Sequence, residues 1–290
     1  MEFKSLGTTS VQVPAIGFGT WRYTGGLEPL RAALDCGACF LDTAENYGTE
    51  ELVGEAIRGR RQDVFLATKV APRNFRRADL IRAAENSLRR LGTDWIDLYQ
   101  LHWPNVTVPI AESMAAMEHL VDSGKVRFIG VSNFTARYLA RAQRALSKYK
   151  IVSNQVGYSL IDRTVERGLL QYCRANGITL IAYSPLGLTF SRLQSADQGR
   201  VLSQVAAKVA KTEAQVALNW LIAKENVVAI PKASSVAHAL DDCGAVGWRL
   251  SPEDYALLDR KIPYYRRGPI DPLLRYCYRY VNQSLGRGLG

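Results

Sequence analysis

The sequence has few histidines and cysteines, and neither residue type has the spacing that a protein metal site requires. Its three histidines, His102, His119 and His238, include no HxH pair, and its five cysteines lack the CxxC-and-histidine pattern of a zinc site. A metal-dependent barrel hydrolase is therefore disfavoured, and we expect no catalytic metal. Cys36 and Cys39 form a CxxC without thioredoxin-like surroundings, so we expect reduced thiols, as in a cytosolic protein.

Long hydrophobic runs are also absent. No apolar stretch approaches the ~18 residues of a membrane span. No apolar segment follows the first four residues, as it would in a signal peptide. We therefore expect a cytoplasmic protein that does not engage a membrane. The GxGxxG pattern is missing too, so a Rossmann-type dinucleotide site is not supported.

Negative charge is scarce, because 27 Asp and Glu residues oppose 37 Lys and Arg residues and leave a net charge of +10. After Tyr265 the chain has five arginines and one aspartate, so this tail supplies +4 of that charge. A basic tail with aromatic residues is one property of nucleic-acid-binding proteins. No nucleic-acid-binding motif accompanies it, and we expect no such partner. The positive field instead favours an anionic cofactor or substrate.

What the sequence does contain is a regular alternation of apolar runs and amphipathic segments. Residues 3–5 and 11–13 flank a Gly-Thr-Thr turn and predict an N-terminal β-hairpin. Eight later apolar runs suit strands buried on both faces of a parallel sheet: residues 15–19, 38–41, 64–68, 96–101, 127–131, 151–155, 179–183 and 227–230. Together they predict a (β/α)8 TIM barrel forming a single domain, residues 1–290, with residues 264–290 as a C-terminal extension.

The segments between these runs have helical periodicity. Met114, Met117, Leu120 and Val121 share one face, which predicts packing against a core. Similar stripes occur at Leu80, Ala83, Ala84, Ser87 and Leu91, and at Val216, Ala217, Trp220 and Leu221. The longest gap, before the last strand, contains two predicted helical segments, near residues 199–211 and 213–224.

Three successive predicted strands are followed by side chains with acid–base chemistry. Asp42 follows the second strand, with Tyr47 five residues later, Lys69 follows the third and His102 follows the fourth. The carboxyl ends of neighbouring barrel strands lie together at one mouth of the barrel, where active sites are found. Taken singly, each residue has a commoner structural role, as a cap, a rim aromatic, a solvated strand end or a core histidine.

Together with their neighbours, these residues resemble the aldo-keto reductase family. The matching motifs follow the family's order between about residues 3 and 262: Asp42-Thr43-Ala44, Tyr47-Gly48, Lys69, His102-Trp103-Pro104, Gly130-Val131-Ser132-Asn133-Phe134, Asn154-Gln155, Tyr183-Ser184-Pro185-Leu186-Gly187 and Ile230-Pro231-Lys232. The resemblance implies a nicotinamide-dependent enzyme that reduces aldehydes or ketones to alcohols. The family's steroid double-bond reductases have Glu in place of His102, so reduction of C=O is favoured over C=C.

The resemblance assigns proton donation to Tyr47. A phenol with its unperturbed pKa near 10 is a weak acid at neutral pH, and a nearby ammonium group makes its ionisation easier. Lys69 would supply that ammonium group, and Asp42 would hold it in place. A neutral His102 would orient the substrate carbonyl by a hydrogen bond.

The resemblance also implies a cofactor stretched across the barrel mouth. The implied contacts are Asp42 beside the nicotinamide, Tyr183 stacked on its ring, Ser132, Asn133 and Gln155 on its carboxamide, Ser184 and Leu186 along the pyrophosphate, and Lys232 and Ser234 at the ribose phosphate. For Ser132, Asn133 and Gln155, ordinary hydrogen bonding at strand ends is the alternative.

The sequence departs from the family's pattern beside the ribose phosphate. His238 replaces an arginine that many members have, and Asp241-Asp242 replaces a Glu-Asn pair at the adenine edge. A neutral histidine makes a weaker contact with a phosphate than a guanidinium does, and Asp242 adds a charge that repels the phosphate. Because Lys232 remains, we expect NADPH to be preferred, with NADH also used.

The predicted substrate is a small-molecule carbonyl compound. Trp21 and Trp103, beside Tyr47 and His102, match the family's substrate walls, although core packing is an equal alternative for the two tryptophans. Such walls suit a substrate with an apolar part. Residues from 264 onward occupy the place of the family's variable loop over the barrel mouth, so we expect the tail to affect substrate choice. We expect a monomer, and a regulatory binding subunit without catalysis is the alternative function.

Overall fold

Eight parallel strands form a closed sheet in the computed structural model, which describes residues 1–266. Two strands, β1 (Phe3–Ser5) and β2 (Gln12–Pro14), form an antiparallel hairpin before it. The sheet strands are β3 (Phe18–Gly19), β4 (Phe40–Asp42), β5 (Phe65–Val70), β6 (Ile96–Leu101), β7 (Val126–Ser132), β8 (Ile151–Gly157), β9 (Thr179–Tyr183) and β10 (Val227–Ile230). Each pairs with the next, and a bridge between Ile16 and Ala229 joins the first to the last. The predicted barrel and hairpin are confirmed.

Helices cover the outside of the barrel within residues 1–266. They are α1 (Leu27–Asp35), α2 (Glu50–Ala56), α3 (Arg77–Leu91), α4 (Ile110–Asp122), α5 (Ala136–Arg144), α6 (Leu169–Ala175), α7 (Phe190–Ala196), α8 (Val201–Lys208), α9 (Glu213–Ile222), α10 (Val236–Cys243) and α11 (Pro252–Lys261). Short 3-10 turns lie at Arg61–Asp63, Pro72–Asn74 and Thr164–Glu166. Among these described helices, none has the length and apolar character of a membrane span.

The gap before the last strand contains three helices, where the sequence predicted two. α8 and α9 fall within the two predicted segments, but α7 was not predicted. This helix has seven residues, of which only Leu193 is buried, so it has no apolar stripe from which to infer it. The C-terminal extension was predicted over residues 264–290, and its first part is described: Tyr265 forms a bridge with Asp162 and lines the cavity at the barrel mouth. Residues 267–290 lie outside the described part of the chain.

Large apolar side chains fill the barrel interior. Phe40, Phe65, Leu98, Ile181 and Val228 point inward from five different strands and form one buried cluster. Two residues of the N-terminal hairpin region, Leu6 and Val13, belong to the same cluster. The hairpin therefore closes the end of the barrel opposite the strand carboxyl ends.

The helices pack on the barrel through the apolar faces that the sequence predicted. Met114, Met117 and Leu120 of α4 are buried, and so is Trp220 of α9. At the start of α9, Thr212 and the third helical residue form a reciprocal capping box, which satisfies two backbone N–H groups that the helix leaves unpaired. The predicted core stripes are confirmed.

Candidate active site

A cavity of about 900 Å³ opens at the carboxyl ends of the strands. The predicted site residues that line it are Trp21, Asp42, Tyr47, His102, Trp103, Ser132, Asn133, Gln155, Tyr183, Ser184, Leu186 and Lys232. Residues from distant parts of the chain thus meet at one mouth of the barrel, as the strand topology requires.

A buried ion pair lies beneath the cavity. Lys69 Nζ donates a hydrogen bond of 2.5 Å to Asp42 Oδ2 and another of 2.8 Å to the Thr43 carbonyl oxygen. The Lys69 side chain is 0% exposed and that of Asp42 is 2% exposed. Burial lowers the pKa of the Lys69 ammonium, and the adjacent Asp42 carboxylate opposes that shift.

The strands that hold this pair are longer than the sequence predicted. The predicted strands stopped at residues 41 and 68, but β4 includes Asp42 and β5 continues through Lys69 to Val70. A charged side chain usually ends a buried strand, because a lone buried charge is costly. Here each charge has the other as its partner, so both remain within the sheet.

Tyr47 and His102 meet above the ion pair. The Tyr47 hydroxyl lies 3.2 Å from His102 Nε2, and their rings are 5.4 Å apart in an edge-to-face arrangement. Lys69 Nζ lies 4.9 Å from the centroid of the Tyr47 ring. The four predicted catalytic side chains are therefore neighbours, with a cation next to the phenol.

Hydrogen bonds between adjacent loops hold this arrangement. In the loop that contains Tyr47, the Glu45 carboxylate accepts a 2.5 Å bond from the Ala71 N–H and bonds of 3.0 and 3.1 Å from Asn74 Nδ2. Burial raises the pKa of this carboxyl group. In the loop after His102, Asn105 Nδ2 donates to the Pro72 carbonyl oxygen at 2.8 Å. The loops after β4 and β6 are thus both fastened to the loop after β5.

The predicted carboxamide-binding residues already form a network at the ends of β7 and β8. Tyr183 Oη donates to Asn133 Oδ1 at 2.9 Å, and Asn133 Nδ2 donates to the His102 carbonyl oxygen at 3.1 Å. Ser132 Oγ donates to the Gln155 carbonyl oxygen at 2.9 Å. Asn133 has a positive φ of 65°, which turns the chain towards the cavity. These are the strand-end bonds that the sequence left as an alternative, and they are compatible with a ligand above them.

The residues predicted at the ribose phosphate and adenine are placed differently. Lys232 is exposed at the cavity edge, where Nζ donates to the Arg22 carbonyl oxygen at 3.3 Å. Ser234 and His238 are exposed beside it, and neither lines the cavity of the described residues. Asp242 is buried on α10, away from the cavity, and burial together with the charge of Asp241 raises its pKa to about 8.

Several residues around the cavity were not predicted from the sequence. Arg22, Tyr158 and Asp162 line it, and Gln100 donates a 3.1 Å hydrogen bond to Asp42. Arg22 and Asp162 belong to irregular segments without a motif. Gln100 had a sequence signal, since it is a polar residue within an apolar strand, two positions before His102.

Metal ligation has no support in the described residues, because no three His, Cys, Asp or Glu side chains are grouped to hold an ion. The four described cysteines, Cys36, Cys39, Cys173 and Cys243, are free thiols.

Comparison with known proteins agrees with this geometry. Residues 15–263 match the model of the aldo/keto reductase family. The chain belongs to this family. It is 38% identical over 264 residues to the methylglyoxal reductase YeaE of Escherichia coli. The aligned region covers 87% of this chain and 92% of that protein.

Solved structures of aldo-keto reductases superpose closely on the barrel. A thermostable aldo-keto reductase, Tm1743, in complex with the inhibitor epalrestat has a TM-score of 0.84 and 45% identity, covering 89% of this chain and 99% of that one. An aldo/keto reductase of Klebsiella pneumoniae in complex with NADP and acetate has a TM-score of 0.83 and 40% identity, covering 88% of this chain and 94% of that one.

Proposed function

We propose that this aldo-keto reductase catalyses the NADPH-dependent reduction of aldehydes and ketones to alcohols, with Tyr47 as the proton donor. The observation that carries the proposal is the convergence of four side chains at the barrel mouth. The Tyr47 hydroxyl is 3.2 Å from His102 Nε2, and the Lys69 ammonium, held by Asp42, lies 4.9 Å from the Tyr47 ring. This is a phenol beside a cation, in a cavity large enough for a substrate.

Each side chain has a separate role in the reaction. The positive charge of Lys69 stabilises the phenolate that Tyr47 becomes after it gives its proton to the carbonyl oxygen. Asp42 holds the ammonium group in place. His102 donates a hydrogen bond from Nε2 to the same oxygen, which orients the carbonyl next to the Tyr47 hydroxyl.

The cavity residues fit a nicotinamide cofactor, which supplies the hydride when bound. The Tyr183 ring lies close to Gly157, where an added Cβ would be 3.3 Å from a ring carbon. Tyr183 also lines the cavity, so its ring would stack on the nicotinamide. Gln155, Ser132 and Asn133 provide polar atoms beside it.

NADPH is the cofactor that we favour over NADH. The exposed Lys232 provides a cation at the cavity edge, next to the first turn of α10. Ser234 adds a hydroxyl there, and the Klebsiella pneumoniae relative was solved with NADP. A cation and a hydroxyl suit a ribose phosphate better than the free ribose hydroxyl of NADH.

Short 2-oxoaldehydes are the substrates that we propose to test first, because the Escherichia coli relative is a methylglyoxal reductase. Trp21 and Trp103 give the cavity apolar walls, whereas Arg22 and Asp162 give it charged ones. Such a mixed lining suits a compact substrate with a second polar oxygen beside the reacting carbonyl.

The test is the Tyr47→Phe variant. We expect kcat for carbonyl reduction to fall by roughly 10²–10⁴-fold, because a positioned proton donor is lost, while NADPH affinity measured by fluorescence quenching stays close to wild type. Tyr149→Phe is the matched control, since its hydroxyl bonds to Asp122 on the outside of the barrel. Turnover of Tyr47→Phe within a few-fold of the control would contradict the role of Tyr47.

A further inference from the structure

Gln100 is a polar side chain enclosed in the barrel wall. It is 0% exposed and lies on β6, two residues before His102 and two after the apolar Leu98. It is not among the described residues that line the cavity. A buried amide that touches no ligand site is costly unless its hydrogen bonds are made within the protein, so its partners indicate its role.

Those partners are the Asp42 carboxylate and Gln155. Gln100 Nε2 donates to Asp42 Oδ1 at 3.1 Å, and Gln155 Nε2 donates to the same oxygen at 2.7 Å. Gln155 Nε2 is also 3.4 Å from Gln100 Oε1. Asp42 Oδ2 is bonded to Lys69, so each carboxylate oxygen has a donor.

The charge of Asp42 fixes the direction of these bonds. An ionised carboxylate only accepts hydrogen bonds, so both glutamines must present their amide nitrogens to it. Gln155 borders the cavity, where a bound ligand would compete for its amide. Gln100 is enclosed, so its hydrogen bond to Asp42 persists whatever occupies the cavity.

The neighbouring strand β7 leaves room for the Gln100 side chain, because its residue paired with Gln100 is a glycine. At Gly130 of β7, an added Cβ would lie 2.9 Å from Gln100 Cγ and 2.7 Å from Ser153 Oγ. These distances are shorter than side-chain carbons tolerate, so glycine at this position allows Gln100 to reach Asp42. Ser153 Oγ is itself buried, and it has no hydrogen-bond partner among the described residues.

We propose that Gln100 is a positioning residue for carbonyl reduction, acting through Asp42 and Lys69. Its amide bonds to Asp42 Oδ1 and so holds the carboxylate in the rotation that directs Oδ2 at Lys69. The ammonium group of Lys69 is then held against the Tyr47 ring. This inference rests on the proposed function, because the proton donor that it supports is Tyr47.

The experiment compares three variants. Gln100→Met keeps the length of the side chain but removes both hydrogen-bonding groups. Gln100→Glu restores a donor to Asp42 only when the new carboxyl is protonated. Ser153→Ala is the matched control, because it removes a buried hydroxyl beside Gln100 that bonds to nothing in the described structure.

We expect Gln100→Met to lower kcat about tenfold while KM for NADPH stays within about twofold, which is the effect of one lost charge-assisted hydrogen bond. At pH 8, kcat of Gln100→Glu relative to wild type should be as low as that of Gln100→Met. At pH 5.5 this relative kcat should rise several-fold, because the new carboxyl is then protonated. A residue with a purely structural role would give no such recovery. Ser153→Ala should keep the kcat and the pH profile of the wild type.

The outcomes separate this inference from the proposed function. A folded Gln100→Met variant with kcat within twofold of Ser153→Ala would overturn the role of Gln100 and leave the reductase activity in place. If Gln100→Met fails to fold, Gln100→Glu provides the test. A kcat relative to wild type that is the same at pH 8 and pH 5.5 would also overturn the role of Gln100. Absence of carbonyl reduction in the wild type and in Ser153→Ala would overturn the proposed function and this inference with it.

Discussion

The Asp242→Asn substitution is expected to stabilise the protein at neutral and alkaline pH. Asp242 is 4% exposed and belongs to the last turn of α10, where the helix has no basic residue. No hydrogen bond reaches its carboxylate within the described residues. Burial, the charge of Asp241 and the negative end of the helix dipole all disfavour its ionised form.

The size of the effect follows from the two protonation equilibria. Burial first, and then Asp241, raise the pKa of this carboxyl in the folded protein from 3.8 to about 8. Between those values the unfolded chain binds fewer protons than the folded one, so the free energy of unfolding falls as the pH rises, and it levels off above about pH 8. At about 1.4 kcal/mol per pH unit, the loss is at most about 6 kcal/mol.

Asparagine removes this dependence, because it has the same shape and no proton to lose. Its amide remains buried, which retains part of the cost. We therefore expect a gain in the free energy of unfolding of about 2–3 kcal/mol at pH 8 and close to zero at pH 4.5.

The assay is urea unfolding followed by tryptophan fluorescence at both pH values. Asp63→Asn is the control, since it removes an equal charge from an exposed carboxylate. A gain of the same size at pH 4.5 and pH 8, or a loss at pH 8, would refute the reasoning, because either result means that Asp242 is ionised in the folded protein.

Two further predictions concern the ion pair and the cofactor. Lys69→Met should lower the free energy of unfolding by about 3–5 kcal/mol, because it leaves the Asp42 carboxylate buried without its cation. The double variant Lys69→Met/Asp42→Asn should regain much of the lost free energy of unfolding, as measured by urea unfolding. Equal losses in the single and double variants would contradict the pairing of Lys69 with Asp42. His238→Arg should raise the ratio of kcat/KM for NADPH to that for NADH about tenfold, since a guanidinium–phosphate contact contributes about 1.5 kcal/mol. His119→Arg, which adds the same charge to α4, should leave the ratio unchanged, and an equal rise in both would indicate only a long-range charge effect.

The sequence predicted the barrel because its signals are periodic and local. Each apolar run needs only a few residues to identify, and the strand order follows from chirality and connection rules once the runs alternate with helices. Asp42, Lys69 and His102 were predicted together for the same reason, since successive strands end at the same mouth. The short α7 was not predicted, because its seven residues contain too few apolar positions to show a helical period.

The unpredicted parts of the site depend on long-range packing. Gln100 is separated from Asp42 by 58 positions and from Gln155 by 55, so nothing near it in the sequence shows its partners. Asp242 was predicted to face the adenine, a role that the described structure leaves untested. Its burial depends on the rotation of α10 against the barrel, which a single sequence does not specify.

Closure of the barrel also bears on how the protein is made. The sheet has no edges because residues 15–19 hydrogen-bond to Ala229 and Pro231. Beside this closure, Lys4 of the hairpin donates to the carbonyl oxygens of Ile222, Lys224 and Val227. During synthesis, the beginning of the chain leaves the ribosome more than 200 residues before its partner. Until that partner emerges, β3 and the most recently made strand expose unpaired backbone groups that other chains can bind. We therefore expect a nascent chain that lacks its last strand to be prone to aggregation, and a fragment from a stalled ribosome would not be a smaller working enzyme.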